Sequence, residues 1–398
     1  MDNWKRSRLG DLVETQKGYA FKSGWYCDAG RPIVKVSDFT SDSVDHGALV
    51  CIPESTAVDY LKYELRTGDV VVQTVGSWPT NPASVVGKCV RIPEKVAGAL
   101  LNQNAVKLTP SEALDKTFLF YLVRNEDFKT YIIGTAQGAA SQAAITLEAI
   151  RGYEFPLPPL PIQRRIAGIL SDYDELIENN QRRIKILEAM ARNLYREWFV
   201  HFRFPGHESV PSVPSPLGDI PQEWGVKLVK EILSRRAAGT VYREADVRKE
   251  GAIPVVDQST NELLGFHDDK PDHTASPATP IAIFGDHTCK MQIFIEPFSV
   301  GPNVVPFVAN RELPTAYVFY AVNSLVQTQE YKRHWSPLNA KEVIVADNTT
   351  AQQFASIIQP MLVEQATFGK IIRNLRRTRD LLLPRLLSGQ IDVEAIAS

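Results

Sequence analysis

Cysteine is scarce in this chain: four residues in 398, Cys27, Cys51, Cys89 and Cys289, far apart and with no CxxC pair. That usage argues against a zinc ribbon or a disulfide framework and fits a reducing cytoplasm. Long apolar runs are missing too, so no stretch has membrane-spanning length and no membrane partner is expected. The opening Met1-Asp2-Asn3-Trp4-Lys5-Arg6 lacks the apolar core of a signal peptide. Nor does either sign of charge dominate. The 44 Lys and Arg against 46 Asp and Glu leave a net charge of −2, unlike the basic excess of many nucleic-acid binders. Phosphate attraction, where it exists, has to come from local clusters or from partner subunits.

Catalytic motifs are absent as well. The sequence holds no GxxxxGK(S/T) phosphate loop, no GxGxxG, no GxSxG, no HExxH and no Asn/Asp-Pro-Pro-aromatic amino-methyltransferase signature. The nearest approach to a nuclease grouping, Pro271-Asp272 with Asp286 and Lys290, lacks the acidic-x-Lys spacing. His267, His273, His287 and Cys289 match no common zinc pattern, so no metal site is expected. A non-catalytic chain is the expectation, with a stand-alone site-specific DNA endonuclease as the alternative.

What the chain does have is a repeat. A Pro-rich stretch, Phe155-Pro156-Leu157-Pro158-Pro159-Leu160-Pro161, releases into a long amphipathic segment from Ile162 to Phe202, and Thr349 to Leu387 replays it. Each copy follows a globular stretch that opens on a Trp and an apolar pair: Trp4, Leu9, Leu12-Val13, then Trp224, Leu228-Val229, Ile232. In the first helix Ile177, Asn180, Ile184, Leu187, Ala191, Leu194 and Trp198 step by threes and fours, a heptad seam with a polar interruption. Phe368, Ile371, Leu375, Thr378 and Leu382 give the second helix a matching seam, so the two helices are expected to pair within the chain.

The globular stretches carry short β-branched runs bounded by turn residues, as strands do. Examples are Ile33-Val34-Lys35-Val36 and Asp69-Val70-Val71-Val72, then Ile253-Pro254-Val255-Val256, Ile281-Ala282-Ile283-Phe284 and Met291-Gln292-Ile293-Phe294-Ile295. Helical spacing marks 117–131 and, in the second copy, 317–329. Four prolines from Pro205 to Pro216 make that segment a linker.

The polar loops after the strands are the candidate DNA-facing material. In the first copy these are Lys35, Gln73, Thr74, Ser77, Asn81, Gln103, Asn104, Gln137, Ser141 and Gln142. In the second they are Gln258, Ser259, Thr260, Asn261, His287, Thr288, Lys290, Arg333, His334 and Asn339. Amide and hydroxyl side chains can meet base edges, and cationic ones phosphates; the plainer account is that such loops are only solvated. The Arg-rich runs Gln181-Arg182-Arg183-Ile184-Lys185 and Arg373-Asn374-Leu375-Arg376-Arg377-Thr378-Arg379 are similarly open between solvated helix flanks, phosphate contacts and an acidic partner's docking face.

These pieces together resemble a known family. Phe155-Pro156-Leu157-Pro158-Pro159-Leu160-Pro161-Ile162-Gln163-Arg164-Arg165-Ile166-Ala167-Gly168-Ile169-Leu170 is similar to the start of the conserved helical region of specificity (S) subunits of type I restriction–modification enzymes. Leu187-Glu188-Ala189, Leu194-Tyr195 and Trp198-Phe199 continue it. Arg379-Asp380-Leu381-Leu382-Leu383-Pro384-Arg385-Leu386-Leu387-Ser388-Gly389 looks like the family's C-terminal signature. Ile253-Pro254-Val255-Val256-Asp257-Gln258 and Ile283-Phe284-Gly285-Asp286-His287-Thr288 look like its strand–loop pieces. The second helical copy departs from the pattern, opening at Asp347-Asn348-Thr349-Thr350 without the Pro-Leu-Pro-Pro run.

The resemblance implies an α+β chain with a pseudo-twofold internal repeat: two mixed α/β target-recognition domains joined by two long helices in an antiparallel coiled coil. The expected boundaries are 1–158 and 223–347 for the domains, 159–204 and 348–389 for the helical spacers, 205–222 for the linker and 390–398 for the tail. Each domain would read half of a bipartite, asymmetric site on double-stranded DNA, and the helices would dock two methyltransferase subunits. S-adenosylmethionine, ATP and Mg²⁺ would then belong to the methyltransferase and restriction subunits, with no cofactor in this chain. A helix of about 40 residues spans about 60 Å against about 34 Å for a turn of DNA, so the helices suit a ruler.

Overall fold

A computed structural model describes residues 4–40, 43–78, 85–138, 142–259, 263–310, 313–328 and 332–393. Packing divides the chain into two compact units, Met1–Leu176 with Asn374–Ser398, and Ile177–Arg373. Both divisions fall inside the long helices, so each helix gives one half to each unit's core.

In unit one the strands are β1 (Arg6–Arg8), β2 (Val13–Lys17), β3 (Arg31–Val34), β4 (Cys51–Ile52), β5 (Val70–Gln73), β6 (Val75–Gly76), β7 (Cys89–Arg91), β8 (Leu100–Leu101), β9 (Ala105–Pro110), β10 (Ala143–Ala144) and β11 (Glu154–Pro156). Its helices are α1 (Glu54–Ala57), α2 (Lys116–Arg124), α3 (Glu126–Gly134), α4 (Leu147–Arg151) and the first half of α5 (Leu160–Tyr195). Unit two contains β12 (Ser212–Val213), β13 (Ile220–Pro221), β14 (Gly225–Leu228), β15 (Leu233–Arg235), β16 (Ile253–Val256), β17 (Leu263–His267), β18 (Ile281–Gly285), β19 (Met291–Phe294), β20 (Ser299–Val300), β21 (Val304–Ala309) and β22 (Glu342–Val345). Its short helices are α6 (Val229–Ile232), α7 (Thr315–Val322) and α8 (Trp335–Asn339), and α9 (Asn348–Leu387) leads back to unit one.

The repeat extends to strand order. Unit one has an antiparallel sheet β2-β9-β5-β7 and a second sheet β4-β3-β8 in which β3 and β8 run parallel. Unit two has β15-β21-β18-β19 and β17-β16-β20, with β16 and β20 parallel. A pair of end strands closes each unit, β1 with β11 and β14 with β22. The central strands show why Val and Ile runs were needed. Alternate residues of a strand face opposite sides, and here both sides are covered. Val70 and Val72 pack on Phe118 and Leu122 while Val71 packs with Val34, Leu65 and Val90. In the second copy Ala282 and Phe284 face one core, Ile281 and Ile283 the other.

The helical stretch expected over 117–131 is two helices. Asp115 caps α2 by accepting the amides of Thr117 and Phe118, and buried Asn125 turns extended (φ −63°, ψ 148°) before α3 begins. The stretch 317–329 likewise stops early, at Val322, where Asn323 is extended (φ −63°, ψ 131°). An Asn that leaves the αR region cannot propagate the ladder, and helical periodicity alone does not register it. The Pro-rich segment is no free linker either. β12 and β13 pair there, and Phe204 and Ile220 join the core around Trp224.

Within unit two the long helices run antiparallel: the Arg183 guanidinium lies over the Phe368 ring at 5.5 Å, and Tyr195 meets Phe354 at 5.9 Å. Ile177 and Ala191 are buried on α5, with Ile184, Leu187 and Leu194 half-buried. On α9, Phe368, Leu375 and Leu382 are half-buried, but Ile371 is 39% exposed. The buried residue of that turn is Ile372, at 7%. The inner stripe of α9 steps by four through Phe354, Ile358 and Leu362, which all pack in the unit-two core; sevens counted back from Phe368 return to Phe354, whereas those from Ile371 fall on exposed Glu364 and Ile357, one residue off the stripe. Among the described residues no helix is long and apolar enough to cross a membrane.

Candidate nucleic-acid interface

Three separate loops of unit one meet at one edge. The Thr74 amide donates to the Asn104 carbonyl at 2.8 Å, and the Ile145 amide to the Thr74 carbonyl at 2.9 Å. β6 pairs with β10, and Gln137 exchanges both backbone hydrogen bonds with Ala144, at 2.9 and 2.8 Å. The Asn102 amide donates to the Val34 carbonyl at 3.0 Å, setting 102–104 beside Lys35. Gly18 permits the close approach of β2 here, since a Cβ at that position would sit 2.1 Å from the Asn102 carbonyl oxygen.

This stitching corrects two expectations. Gln73 is 0% and Thr74 3% exposed, and Gln73 donates to the Val75 carbonyl at 2.9 Å. They end the central strand β5 beneath the loops and hold them, rather than facing outward. Gln137 and Gln142 are exposed, while Lys35, Ser77, Gln103 and Asn104 are half-buried. Asn81 and Ser141 lie outside the described residues. A feature unremarked in the sequence borders this edge: Tyr19 packs on Tyr60 at 4.5 Å and on Tyr63 at 5.4 Å, with Phe21 and Trp25 alongside. Lys22, Lys35 and Lys62 lie over Trp25, Tyr26 and Tyr63 at 4.9–5.4 Å, distances at which cation–π attraction operates. The run Gly18-Tyr19-Ala20-Phe21-Lys22 was its sequence signal.

Unit two gathers its own three loops. The Gln258 side-chain oxygen accepts the His287 amide at 3.1 Å, its carbonyl accepts the Thr288 hydroxyl at 2.8 Å, and Lys290 Nζ donates to the Ser259 carbonyl at 2.7 Å. A Cβ on Gly285 would lie 2.4 Å from Thr288 Oγ1, so the end of β18 requires glycine. Buried Asp286 accepts the amides of His334 and Trp335 at 3.0 and 2.9 Å, with Arg333 Nε 3.8 Å away. The expected contact His334 is only 3% exposed; its backbone is drawn in against Asp286, which removes the side chain from the surface. Half-buried Asn339 donates to the Trp335 carbonyl at 3.0 Å within α8. Thr288 and Arg333 are exposed, and Gln258, Ser259, His287 and Lys290 half-buried. Thr260 and Asn261 lie outside the described residues.

The residues of the nuclease alternative are occupied structurally. Asp286 caps α8, Asp272 accepts the Thr240 amide at 3.2 Å, and Lys290 holds Ser259. Among the described residues no group of three or more His, Cys, Asp or Glu is placed to hold a metal. His267 Nε2 lies 2.9 Å from Ser299 Oγ while its Nδ1 accepts the Asp269 amide at 3.1 Å, so the imidazole is the Nε2–H tautomer, a donor to the hydroxyl rather than a base for it.

Polar residues that sequence periodicity passed over tie the long helices to unit one. Asp174 on α5 accepts the Tyr121 hydroxyl at 2.6 Å, lies 3.6 Å from Arg124 and pairs with Arg379 of α9. Burial first, and then the charge of Asp174, push the Tyr121 hydroxyl well above its usual range, so it remains a donor.

Residues 1–189 match the type I restriction modification DNA specificity domain. The chain is 24% identical to the putative type I restriction enzyme MjaX specificity subunit of Methanocaldococcus jannaschii over 99% of this chain and 95% of that one. It is 24% identical to the MjaIX specificity subunit of the same organism over 74% and 73%. The crystal structure of a type I restriction–modification system S subunit from M. genitalium shares the fold, with a TM-score of 0.56 at 15% identity, covering 97% of this chain and 96% of that chain. The chain is similar to type I specificity subunits along nearly its whole length. The specificity-domain match ends at residue 189, yet unit two repeats the strand order of unit one. The second copy keeps the strand pairing of the first.

Proposed function

We propose that this chain is the non-catalytic, sequence-specific DNA-binding component of a type I restriction–modification complex, each unit reading one half of a bipartite, asymmetric site. The observation that carries this is a shared scaffold with unshared loops. Strand order and sense are the same in both units, while the exposed side chains differ: Gln137 and Gln142 in one, Thr288 and Arg333 in the other. A common frame with different polar edges favours two unrelated half-sites over a palindrome. The M. jannaschii and M. genitalium proteins, described as type I specificity or S subunits, support the same reading. The long helices set the spacing and dock two methyltransferase subunits, while the restriction subunits do the cutting. S-adenosylmethionine, ATP and Mg²⁺ act in those partners, and the complex works in the cytoplasm.

The test is an exchange of residues 223–347 for the corresponding unit of a relative, followed by mapping of adenine methylation in cells carrying the partner subunits. One half-site should change and the other stay. Loss of both together would refute modular reading.

A further inference from the structure

Two cysteines far apart in sequence face each other in unit one. Cys27 and Cys51 form an antiparallel bridge, with the Cys27 amide donating to the Cys51 carbonyl at 3.0 Å. Residues opposed in that way have Cα atoms about 5.5 Å apart and project to the same side. A disulfide normally spans a Cα separation of about 4.4–6.8 Å, so closure needs only a small local movement of one side of the bridge. Both thiols are half-buried, and each is turned to a nearby carbonyl: Cys27 Sγ to Ala29 at 3.0 Å and Cys51 Sγ to Leu49 at 3.8 Å. Rotating either side chain about χ1 aims it at the other. Cys89 in the same unit is buried, and burial pushes its thiol up to about 11; the half-buried Cys51 thiol is raised as well, first by burial and then by Cys27 beside it.

We propose that Cys27 and Cys51 form a reversible dithiol–disulfide site, closed by peroxide, whose closure shifts the corner carrying Tyr26 and Lys35. One thiol attacks the peroxide O–O bond, giving a sulfenic acid and water. The second thiol attacks that sulfur, the S–S bond forms, and a second water leaves. Two thiols are oxidised by two electrons in all, and hydrogen peroxide is reduced to two waters. The Cβ atoms must draw in from about 4.5–5.5 Å to about 3.8 Å. Cys51 is held on its other side by pairing with Pro32 of β3, so the Cys27 side moves. Tyr26 is the adjacent residue, and its ring supports the Lys35 ammonium at 4.9 Å. The consequence for DNA rests on the function proposed above; the disulfide itself does not.

The full chain treated with hydrogen peroxide, alkylated under denaturing conditions and mapped by peptide mass spectrometry should yield a linked Cys27–Cys51 peptide. Two of its four thiols should be lost and then regained with dithiothreitol, while Cys89 and Cys289 stay alkylatable. Cys27→Ser should abolish the link. Full alkylation of both cysteines, irreversible over-oxidation, or a link formed only between two chains would overturn the site. In a second arm, the complex with methyltransferase subunits is titrated with target DNA over a range of salt. Oxidation should lower the slope of log affinity against log salt by about 0.9, one phosphate contact, and Lys35→Ala should remove that redox difference. An unchanged slope overturns the coupling to Lys35. Failure of the reduced complex to select its target would instead overturn the proposed function and leave the mass-mapping result to stand alone.

Discussion

Asp174→Ala should destabilise unit one more than any exposed substitution on the long helices. The carboxylate meets three groups at once: the Tyr121 hydroxyl at 2.6 Å, Arg124 at 3.6 Å and Arg379. The Arg379 side chain is only 4% exposed, so without Asp174 it remains a buried cation. Removing one partner of a buried pair costs about 3–5 kcal/mol, mostly from the charge left behind. Asp380 also accepts from Arg379, at 2.9 Å, and keeps the cost toward the lower end, about 3 kcal/mol. The assay is urea unfolding, followed by hydrogen exchange in α2 and the first half of α5. The combined change Asp174→Leu with Arg379→Met should recover the part of the loss due to the stranded Arg379, because an apolar replacement of a buried pair is close to neutral, while the buried Tyr121 hydroxyl still lacks its acceptor. A loss below about 1 kcal/mol for Asp174→Ala, the range of an exposed pair, would refute the reasoning.

Asp286→Ala strands the Trp335 amide at the start of α8, the His334 amide keeping the residue-286 carbonyl at 2.8 Å, and should cost about 1–3 kcal/mol, with methylation lost at the half-site assigned to unit two; Asp286→Asn keeps an acceptor and should retain it, and equal behaviour of the two variants would count against a capping role. His273 is buried against Phe298, and burial holds its imidazole below the ordinary value of about 6.5, opposed by its hydrogen bond to the Ala238 carbonyl. The unfolded chain therefore takes up a proton before the folded one does, so unit two should lose stability as pH falls from about 6.5 toward that lowered value, at most about 1.4 kcal/mol per pH unit. The urea midpoint at several pH values checks this, and a His273→Gln variant with the same acid slope as the parent would refute it.

How far the sequence disclosed the fold depended on how local the deciding force was. Val70-Val71-Val72 and Ile281-Ala282-Ile283-Phe284 announce central strands because burial on both faces needs a continuous apolar run, and that is visible residue by residue. The shared strand order was legible only as a hint, since register is set by partners distant in the chain. The seam of α9 shows the limit more sharply. Ile371 and Ile372 are chemically alike, and only packing against the facing helix makes the second one internal. Arg379 holds an inner position that no apolar count can find, because its entry depends on Asp174 more than two hundred positions earlier. The loops follow the same logic. Polar composition drew attention to Gln73, Thr74 and His334, yet these are the residues most deeply withdrawn, while their exposed neighbours Gln137, Gln142, Thr288 and Arg333 keep outward faces. A polar residue at a strand end can either meet a ligand or anchor the loop that does, and composition is the same for both. The separation comes from hydrogen bonds across the fold, which also made neighbours of two cysteines that spacing had set apart.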